Sequence, residues 1–413
     1  MAAQRFDVII MGSGLVGLTL GIGLSRHGVT CAVIDPADPE TTLAPAFDGR
    51  VSSISSASWK LFQAIGIADR LEGKGCPIER IWVSDGLQPG ALDFAPPEDD
   101  DMPMGIMFEN RETRLALSGA AAAAEHLTLF QPDRAVRIDR SLDGVEVELQ
   151  SGARLSGSLL VGAEGRGSPT REGAGITVAK WQYDHVAMVT AIHHEVNHAN
   201  TAYEIFYPGG PFALLPMQPG AGAPDSQPYR SAVVWTVSRR QVEGMMALGE
   251  RGWLAEAQKR IGGFLGGISL AGPRFSYPLG YHRASRITDT RLALAGDAAH
   301  GIHPIAGQGV NLGFRDVAAL IEVIVDGMRL GLEPGDAQLL TRYQRWRSLD
   351  TLSVTIAMDG LVRLFDVPGR VPSLIRRAGL AAVQKSGPLK NRFMAEARGE
   401  SGALPRLLTG EMV

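Results

Sequence analysis

Short apolar runs on either side of a glycine-rich turn open the chain, and this pattern predicts a strand–helix–strand unit. The run FDVIIMG (6–12) is almost wholly apolar, which is typical of a strand buried on both faces. LTLGIGLSRHG (18–28) continues with helical spacing and reaches a glycine where a helix would end. VTCAVID (29–35) then predicts a second buried strand, which ends in Asp35.

Three glycines lie between the first strand and the helix: Gly12, Gly14 and Gly17. The first permits a tight turn, the second lets the backbone approach a pyrophosphate, and the third lets helix and strand pack closely. The helix N-terminus would face the anion, and Asp35 would accept hydrogen bonds from the adenosine ribose. A glycine turn used only for packing would leave Asp35 unexplained, so the pattern predicts dinucleotide binding.

A second strand–loop–helix pattern covers residues 291–324, RLALAGDAAHGIHPIAGQGVNLGFRDVAALIEVI. Gly-Asp after a strand is by itself usually a plain turn or a helix cap. Beside the N-terminal turn, it predicts that Asp297 reaches the ribityl chain of a flavin. Three N–H groups at the start of the second helix would then face the pyrimidine edge of the flavin ring. They belong to Gly309, Val310 and Asn311.

Composition narrows the class of protein. The chain has 413 residues, 45% hydrophobic and 20% charged, with a formal net charge of −4, which gives no reason to expect nucleic acid as a partner. Its two cysteines, Cys31 and Cys76, provide neither a disulfide framework nor a cysteine-based zinc site. The uncharged apolar run at the start of the chain, 8–24, is slightly too short for a membrane span and contains five glycines. A cytoplasmic location is therefore expected.

Together the two patterns resemble the class A flavoprotein aromatic hydroxylases, which share the para-hydroxybenzoate hydroxylase fold. Four further segments are similar to the ubiquinone-biosynthesis hydroxylases and follow that family's order. They are FDGRVSSISSAS (47–58), ENRETRLAL (109–117), TAYEIFYPGGPFALLP (201–216) and GESGALPRLLTG (399–410). The resemblance implies an α/β fold: a Rossmann-like FAD-binding domain, an inserted antiparallel-sheet substrate domain and a helical C-terminus.

The expected division of the chain is discontinuous. The FAD-binding domain would comprise 1–75, 100–178 and 280–350. The substrate domain would comprise 76–99 and 179–279, where runs such as VAMVTAI are rich in β-branched residues. Residues 351–413 would form the helical C-terminal region.

The resemblance also implies roles for single residues that hold the cofactor. Arg50 would lie near the flavin, and Arg111 would contact the phosphate or ribose region of FAD. The segment LLVGAEGRGSPTR (159–171) matches a family signature in which the family usually has aspartate where this chain has Glu164. That position helps to hold the FAD pyrophosphate and serves nicotinamide handling. The extra methylene changes the reach of the charge, so a weaker use of free NAD(P)H is expected.

Candidates for the substrate cavity lie in the loop before the second helix. His303 and Pro304 would line the site beside the flavin, and His300 and His303 are candidates for proton transfer. The alternative is that these histidines only cap the loop. The segment HHEVNH (193–198) has no ligand set of recognised metal-binding spacing, so it is interpreted as a surface strand end and no metal site is predicted.

The expected function is a FAD-dependent monooxygenase that hydroxylates the ring of a polyprenylated phenol in ubiquinone biosynthesis. In the family this proceeds through a flavin C4a-hydroperoxide formed from O2 and a reductant such as NAD(P)H. Three alternatives stay open. They are a monooxygenase for another small hydrophobic aromatic molecule, a prenyl reductase of the same fold, and a non-catalytic flavin-binding scaffold subunit of a biosynthetic complex.

The C-terminal tail suggests a further partner. Residues 370–406 carry eight Arg and Lys against two Glu, interleaved with apolar residues. This pattern fits a surface that docks peripherally to anionic lipid on the inner face of the membrane, or to a protein of a biosynthetic complex. It fits equally well a solvated helical cover on the core.

Overall fold

A computed structural model describes residues 3–44, 50–97, 100–220, 222–301, 308–348, 350 and 369–413. The strands are β1 Gln4–Met11, β2 Cys31–Ile34, β3 Val51–Ser55, β4 Cys76–Ile78, β5 Arg80–Asp85, β6 Leu92–Phe94, β7 Gly105–Glu109, β8 Leu127–Phe130, β9 Ala135–Arg140, β10 Val145–Leu149, β11 Arg154–Gly162, β12 Val178–His194, β13 Thr201–Tyr207, β14 Gly210–Met217, β15 Tyr229–Ser238, β16 Ile268–Leu270, β17 Phe275–Ala284, β18 Thr288–Asp289, β19 Leu292–Leu294 and β20 His300–Gly301. The helices are α1 Leu15–Arg26, α2 Pro39–Thr42, α3 Ser56–Ala64, α4 Asn110–Ala122, α5 Pro169–Gly173, α6 Arg239–Ala247, α7 Glu250–Ile261, α8 Gln308–Arg329, α9 337–348, α10 Arg370–Lys385, α11 Gly387–Ala397 and α12 Arg406–Thr409.

The apolar runs of the sequence form the centre of a parallel sheet. Strands β19, β11, β1, β2 and β8 are adjacent in that order and parallel to each other, with antiparallel strands added at β18, β10 and β9. Val8, Ile9 and Ile10 in β1 are fully buried, as a strand covered on both faces requires. Helix α1 connects β1 to β2, so the predicted strand–helix–strand unit is confirmed.

The second sheet is almost entirely antiparallel. It has nine strands, in the order β20-β17-β12-β15-β14-β13-β5-β6 with β16 beside β12, and a parallel pair occurs where β13 meets β5. Strands β3, β7 and β4 form a small third sheet. The predicted fold class, an α/β protein with an antiparallel-sheet insert, is thereby confirmed. The exact domain boundaries stay a prediction. Of the strands in 76–99, β5 and β6 join the nine-stranded sheet, whereas β4 pairs with β7 in the small third sheet.

Helices near the C-terminus cover the nine-stranded sheet at one edge. Helix α10 packs on β5 and β6, and its Leu380 is buried in one cluster with Met394 of α11 and Phe94 of β6. Helix α12 packs on α3 and α8. Across the described ranges, no helix has both the length and the apolar character that a bilayer span requires.

A buried group of charges connects the loop after β19 to α8 and α9. Asp316 of α8 is fully buried. Its Oδ2 accepts from Gly296 N at 2.9 Å and from His300 Nε2 at 2.7 Å, and its Oδ1 accepts from Arg347 Nε at 2.6 Å. Burial alone would raise the pKa of Asp316, but the charges of His300 and Arg347 outweigh it and hold that pKa below its ordinary value.

The same charges reach the C-terminal segment. Arg347 also pairs with Asp350, and Arg315 of α8 donates to Asp350 Oδ1 at 2.6 Å. Arg315 further donates to Ser401 O at 2.8 Å. Helices α8 and α9 and the segment after α11 are therefore held together by paired charges that are nearly inaccessible to water.

Replacing Asp316 by asparagine is expected to cost about 3–5 kcal/mol of the free energy of unfolding, because the buried guanidinium of Arg347 loses the fully buried one of its two carboxylate partners. The matched control, Asp143→Asn at an exposed turn, should change it by less than about 0.5 kcal/mol. Urea unfolding at pH 7 measures both, and equal losses would contradict the expectation. Folding lowers the pKa of Asp316. The loss of unfolding free energy in Asp316→Asn should therefore be complete at pH 7 and shrink as the pH falls through the pKa that Asp316 has in the folded protein.

Candidate functional site

The glycine turn leads from β1 into the N-terminus of α1. Gly12 has a φ of +105°, and a Cβ on it would lie 2.6 Å from Ala163 O. A Cβ on Gly17 would lie 1.9 Å from Gly12 O, so this glycine is required for packing. At Gly14, a Cβ would meet no protein atom within 4 Å. Gly14 is the N-cap of α1, and no side chain caps this end, so the first N–H groups of the helix have no side-chain acceptor.

A groove with a volume of about 460 Å³ follows this turn, and we call it the glycine groove. It contains most of the residues that the sequence predicts to hold the cofactor. These are Gly12, Gly14, Asp35, Glu164, Asp297, Gly309 and Val310. Backbone from β1, β11, β19 and α8 thus converges on one site, as the carboxyl ends of parallel strands do in dinucleotide-binding folds.

Asp35 lies at one end of the glycine groove, where its carboxylate is partly fixed by the backbone. Its Oδ2 accepts from Ser13 N at 2.7 Å, and its Oδ1 accepts from Ala37 N at 2.8 Å. Each carboxylate oxygen can accept more than one hydrogen bond. The carboxylate is therefore oriented by the turn and still has capacity for the two hydroxyls of a ribose.

Asp297 lies in a short 3₁₀ turn, Gly296–Ala298, at the other end of the groove. Its Oδ2 is 3.3 Å from Arg166 Nε, and its backbone oxygen is 2.7 Å from His282 Nε2. Burial lowers the pKa of His282. A neutral His282 ring can donate this hydrogen bond to the backbone oxygen of Asp297. The side chain of Asp297 takes no part in that bond and lines the groove.

Glu164 is held more firmly than its position in a loop suggests. Its two carboxylate oxygens accept from the hydroxyls of Ser168 at 2.5 Å and Thr170 at 2.7 Å. Burial raises the pKa of Glu164, and these two hydroxyls act in the opposite direction. The longer side chain therefore bonds back to the start of α5 while it lines the groove.

Asn311 contributes through its side chain, which the sequence did not indicate. Its Oδ1 accepts from Ser55 N at 2.9 Å, and its Nδ2 donates to Ser53 O at 2.7 Å. Both partners belong to β3, so this side chain fixes the start of α8 to the small sheet. The neighbouring Gly309 and Val310 provide the backbone that lines the groove.

The two arginines occupy different places. Arg50 lines the neighbouring cavity, with its guanidinium carbon 5.8 Å from the centre of the Tyr277 ring. Arg111 donates to Ala44 O at 3.0 Å and pairs with Glu112. Within the described chain, Arg111 is not part of the wall of the groove or of that cavity. Its contact with FAD stays a prediction.

A second cavity, with a volume of about 600 Å³, adjoins the glycine groove, and we call it the apolar cavity. Its far wall is made of small and aliphatic side chains of the nine-stranded sheet, such as Val189, Ala213 and Val234. The groove and the cavity share six lining residues: Ser52, Asn110, Arg166, Asp297, Gly309 and Val310. The groove therefore opens directly into the apolar cavity.

Among the described residues, His300 is the predicted histidine that can be placed, and it does not line this cavity. His303 and Pro304 lie outside the described residues, so their roles stay predictions. His300 is buried against Asp316, which supports the alternative in which it holds the loop. The interpretation of residues 193–198 as a surface strand end holds in part: β12 ends at His194 and residues 195–197 are exposed, but the three histidines of the segment are buried.

Within that segment, His194 is fully buried. Its ring nitrogens bond to Val196 O at 2.8 Å and Ser231 Oγ at 2.9 Å, and burial lowers its pKa to about 4. The burial of β12 continues to its last residue, so polar partners satisfy this ring inside the core. Among the described residues, no group of three His, Cys, Asp or Glu could hold a metal ion.

Comparison with a solved structure identifies the class of fold. The p-nitrophenol 4-monooxygenase of Pseudomonas putida matches this chain with a TM-score of 0.78 at 16% sequence identity. The match covers 98% of this chain and 100% of that one. At this identity the likeness concerns the fold alone, which is that of the FAD-dependent monooxygenases.

Sequence relatives identify the family. A family model described as "FAD binding domain" matches residues 5–351. Ubiquinone hydroxylase UbiL of Rhodospirillum rubrum is 44% identical over 407 residues, 98% of this chain and 92% of that one. The 3-demethoxyubiquinol 3-hydroxylase of Escherichia coli is 33% identical over 408 residues, 97% of this chain and 100% of that one. The chain belongs to this family of FAD-dependent hydroxylases, as its motifs predict.

The glycine turn generates a paired prediction. Gly17→Ala should destabilise the FAD-free protein by roughly 3 kcal/mol, because the new methyl group meets the backbone of Gly12. Gly14→Ala meets no protein atom, so it should cost at most about 1 kcal/mol, the loss of a glycine N-cap. If the second glycine admits a phosphate, Gly14→Ala should nevertheless weaken FAD binding at least about tenfold.

Thermal unfolding of the FAD-free variants and titration with FAD, followed by flavin fluorescence, measure the two effects separately. Wild-type FAD affinity in Gly14→Ala would show that this glycine does not contact the phosphate. Wild-type stability in Gly17→Ala would show that the turn relaxes around a methyl group.

Proposed function

We propose that this protein is a FAD-dependent monooxygenase that hydroxylates the aromatic ring of a polyprenylated phenol in ubiquinone biosynthesis. The observation that carries the proposal is that the glycine groove opens directly into an apolar cavity large enough for a substituted ring. Two ubiquinone-pathway hydroxylases match this chain along nearly its full length, and this similarity supports the choice of substrate class.

The groove fits FAD in its shape and in its charges. Gly14 leaves room for a phosphate at the N-terminus of α1, and Asp35 offers acceptors for ribose hydroxyls. Asp297 would reach the ribityl chain, and the backbone of Gly309 and Val310 would face the flavin ring. FAD, when bound, supplies the redox chemistry with O2.

The residues of this chain have three tasks in such a reaction. The aliphatic wall with Val189, Ala213 and Val234 excludes water from the reacting atoms. The side chains where the groove meets the cavity, such as Asn110 and Val310, hold the ring over the flavin. The positive end of α8, together with Arg50, favours negative charge near the flavin.

NAD(P)H is the proposed source of electrons. Glu164 is directed to α5 by Ser168 and Thr170, which supports an arrangement of the nicotinamide region that differs from that of relatives with aspartate. Comparing NADH, NADPH and photochemical reduction of the flavin tests this part of the proposal within the experiment below.

Three alternatives are distinguishable by experiment. A monooxygenase that acts on another hydrophobic aromatic molecule would need the same groove and the same apolar cavity. A prenyl reductase or a flavin-binding scaffold would need the groove but would not consume O2 in response to a phenol. No side chain in the described cavity favours the reductase or the scaffold.

Oxygen uptake by the purified holoenzyme tests the reaction. With NAD(P)H present, a short-chain prenylated phenol should raise the rate of O2 consumption severalfold and yield a product heavier by one oxygen atom. In cells that lack the protein, mass spectrometry should find a prenylated phenol that is short of one oxygen, and the intact gene should restore the quinone. Uptake that no phenol stimulates would point to the reductase or the scaffold, and unchanged quinone to another aromatic substrate.

Peripheral membrane contact is proposed as the route to a substrate dissolved in lipid. Leu374, Leu389 and Phe393 are exposed on α10 and α11, at 60%, 40% and 45% of their surfaces. Lys385 of α10 and Arg392 of α11 are exposed on the same two helices. Exposed apolar side chains with adjacent cations are typical of a surface that binds anionic bilayers.

Sedimentation with vesicles of phosphatidylglycerol at low salt tests this contact. The wild type should cosediment, and Phe393→Ser combined with Lys385→Glu should reduce the bound fraction severalfold. Leu142→Ser, which removes an exposed leucine 83% accessible in the turn between β9 and β10, should bind as the wild type does. No cosedimentation of the wild type, or equal loss in both variants, would rule out this surface.

A further inference from the structure

The apolar cavity carries one carboxyl group that none of the roles above uses, that of Glu204. It lies in the middle of β13, opposite Ala213 of β14 and Val83 of β5. Residues two apart on a strand share a face, so Glu204 lies between Ala202 and Phe206, both of them buried in an apolar cluster. The side chain reaches the wall of the apolar cavity.

Glu204 has no partner in the part of the chain that the structure describes: no hydrogen-bond donor and no cation lies within bonding distance of its carboxylate. Burial raises its pKa to about 7. By accessible surface Glu204 is half-buried, and it lines the cavity. A carboxyl without a partner in such apolar surroundings costs free energy, and such groups concentrate at functional sites.

Other charged and titratable groups on this face are already engaged. They form four pairs: Asp85 of β5 with Arg376 of α10, Arg230 of β15 with Glu109 of β7, Asp297 with Arg166, and Arg50 with the ring of Tyr277. Glu204 therefore stands apart as the carboxyl on this wall that a ligand must satisfy.

An aromatic ring that enters this cavity carries a hydroxyl group if the proposed function is right. From this placement we infer that Glu204 is a catalytic residue whose carboxylate accepts the hydrogen bond of the substrate's phenolic hydroxyl and takes up its proton. The inference rests on the proposed function, because it requires a phenol as substrate. It identifies the side chain by which the cavity distinguishes phenols from apolar rings that carry no hydroxyl group.

The proton transfer is balanced within the site. The phenolic O–H bond breaks, an O–H bond forms on Glu204, and the electron pair stays on the phenolic oxygen, where it enriches the ring for attack on an electrophilic oxygen. One atom of O2 enters the ring and the other leaves as water, and the two electrons come from the reductant already proposed. The oxygenated ring carbon releases its proton to the water that forms, the ring regains aromaticity, and Glu204 returns its own proton to the phenolic oxygen.

The direction of the pH dependence follows from the raised pKa. Below pH 7 the carboxyl is mostly protonated and cannot accept the phenolic proton; above pH 7 it is ionised. A carboxyl with this pKa is about one-tenth ionised at pH 6 and about nine-tenths ionised at pH 8. The affinity of the holoenzyme for a phenol should therefore rise about tenfold between these two pH values.

Binding of 2-decylphenol and its methyl ether to the oxidised holoenzyme, followed by the flavin absorption spectrum, tests the inference without turnover. In the wild type, the phenol should show the tenfold change with pH and the ether should show none. Glu204→Gln, which preserves shape and removes the charge, should abolish the pH dependence and lower kcat about a hundredfold. Glu146→Gln, on an exposed position of β10, is the matched control and should behave as the wild type.

The flavin spectrum of Glu204→Gln also reports whether the holoenzyme has assembled. A tenfold pH dependence that persists in this variant, or one that the methyl ether shares, overturns the role of Glu204. If the wild type still takes up O2 with prenylated phenols in that case, the proposed function stands and only the inference fails. If the wild type takes up no O2 with any phenol, the proposed function fails and the proton transfer fails with it.

Discussion

The buried carboxylate of Asp316 is the interaction on which the site depends. A charge removed from water must be compensated by nearby donors, and here Gly296 N–H, His300 and Arg347 supply them. Two of these donors lie on the loop that carries Asp297, and Asp316 itself lies on α8, the helix that begins beside Gly309. The hydrogen bonds and ion pairs of this one carboxylate thus hold the loop with Asp297 against the start of α8, and both parts line the glycine groove.

A second constraint is that the glycine groove and the apolar cavity share their boundary. Gly309, Val310 and Asp297 belong to both walls, so a change that moves one of them alters cofactor and ring binding together. Asn311 reinforces this boundary, because its amide bonds to two backbone groups of β3. The parallel sheet provides the groove and the antiparallel sheet provides the apolar wall, and neither sheet alone forms the complete site.

The spacing of residues along the chain predicted those contacts whose two partners lie close together in the sequence. The glycine turn and Asp35 lie within one strand–helix–strand unit, so their arrangement follows from residue type and distance along the chain. Asn311 bonds to residues more than 250 positions away, and no local pattern indicates such a pair. His194 was misplaced for the same reason, because Ser231, which makes its burial tolerable, lies on another strand. Sequence reasoning therefore found the glycine turn and the carboxylates of the groove, and missed side-chain contacts whose partners lie far away in the sequence.

The carboxylates in this protein differ in whether protein donors satisfy their oxygens. Asp316 and Glu164 have protein donors on both oxygens, and their roles are to hold loops in place. Glu204 breaks an otherwise apolar alternation, TAYEIFY, on the face where Ala202 and Phe206 are buried. A residue that violates the pattern of its own strand and finds no partner raises the free energy of the folded protein. Since that cost is recovered only when a donor enters the cavity, Glu204 favours substrates with a hydroxyl group over equally apolar rings without one.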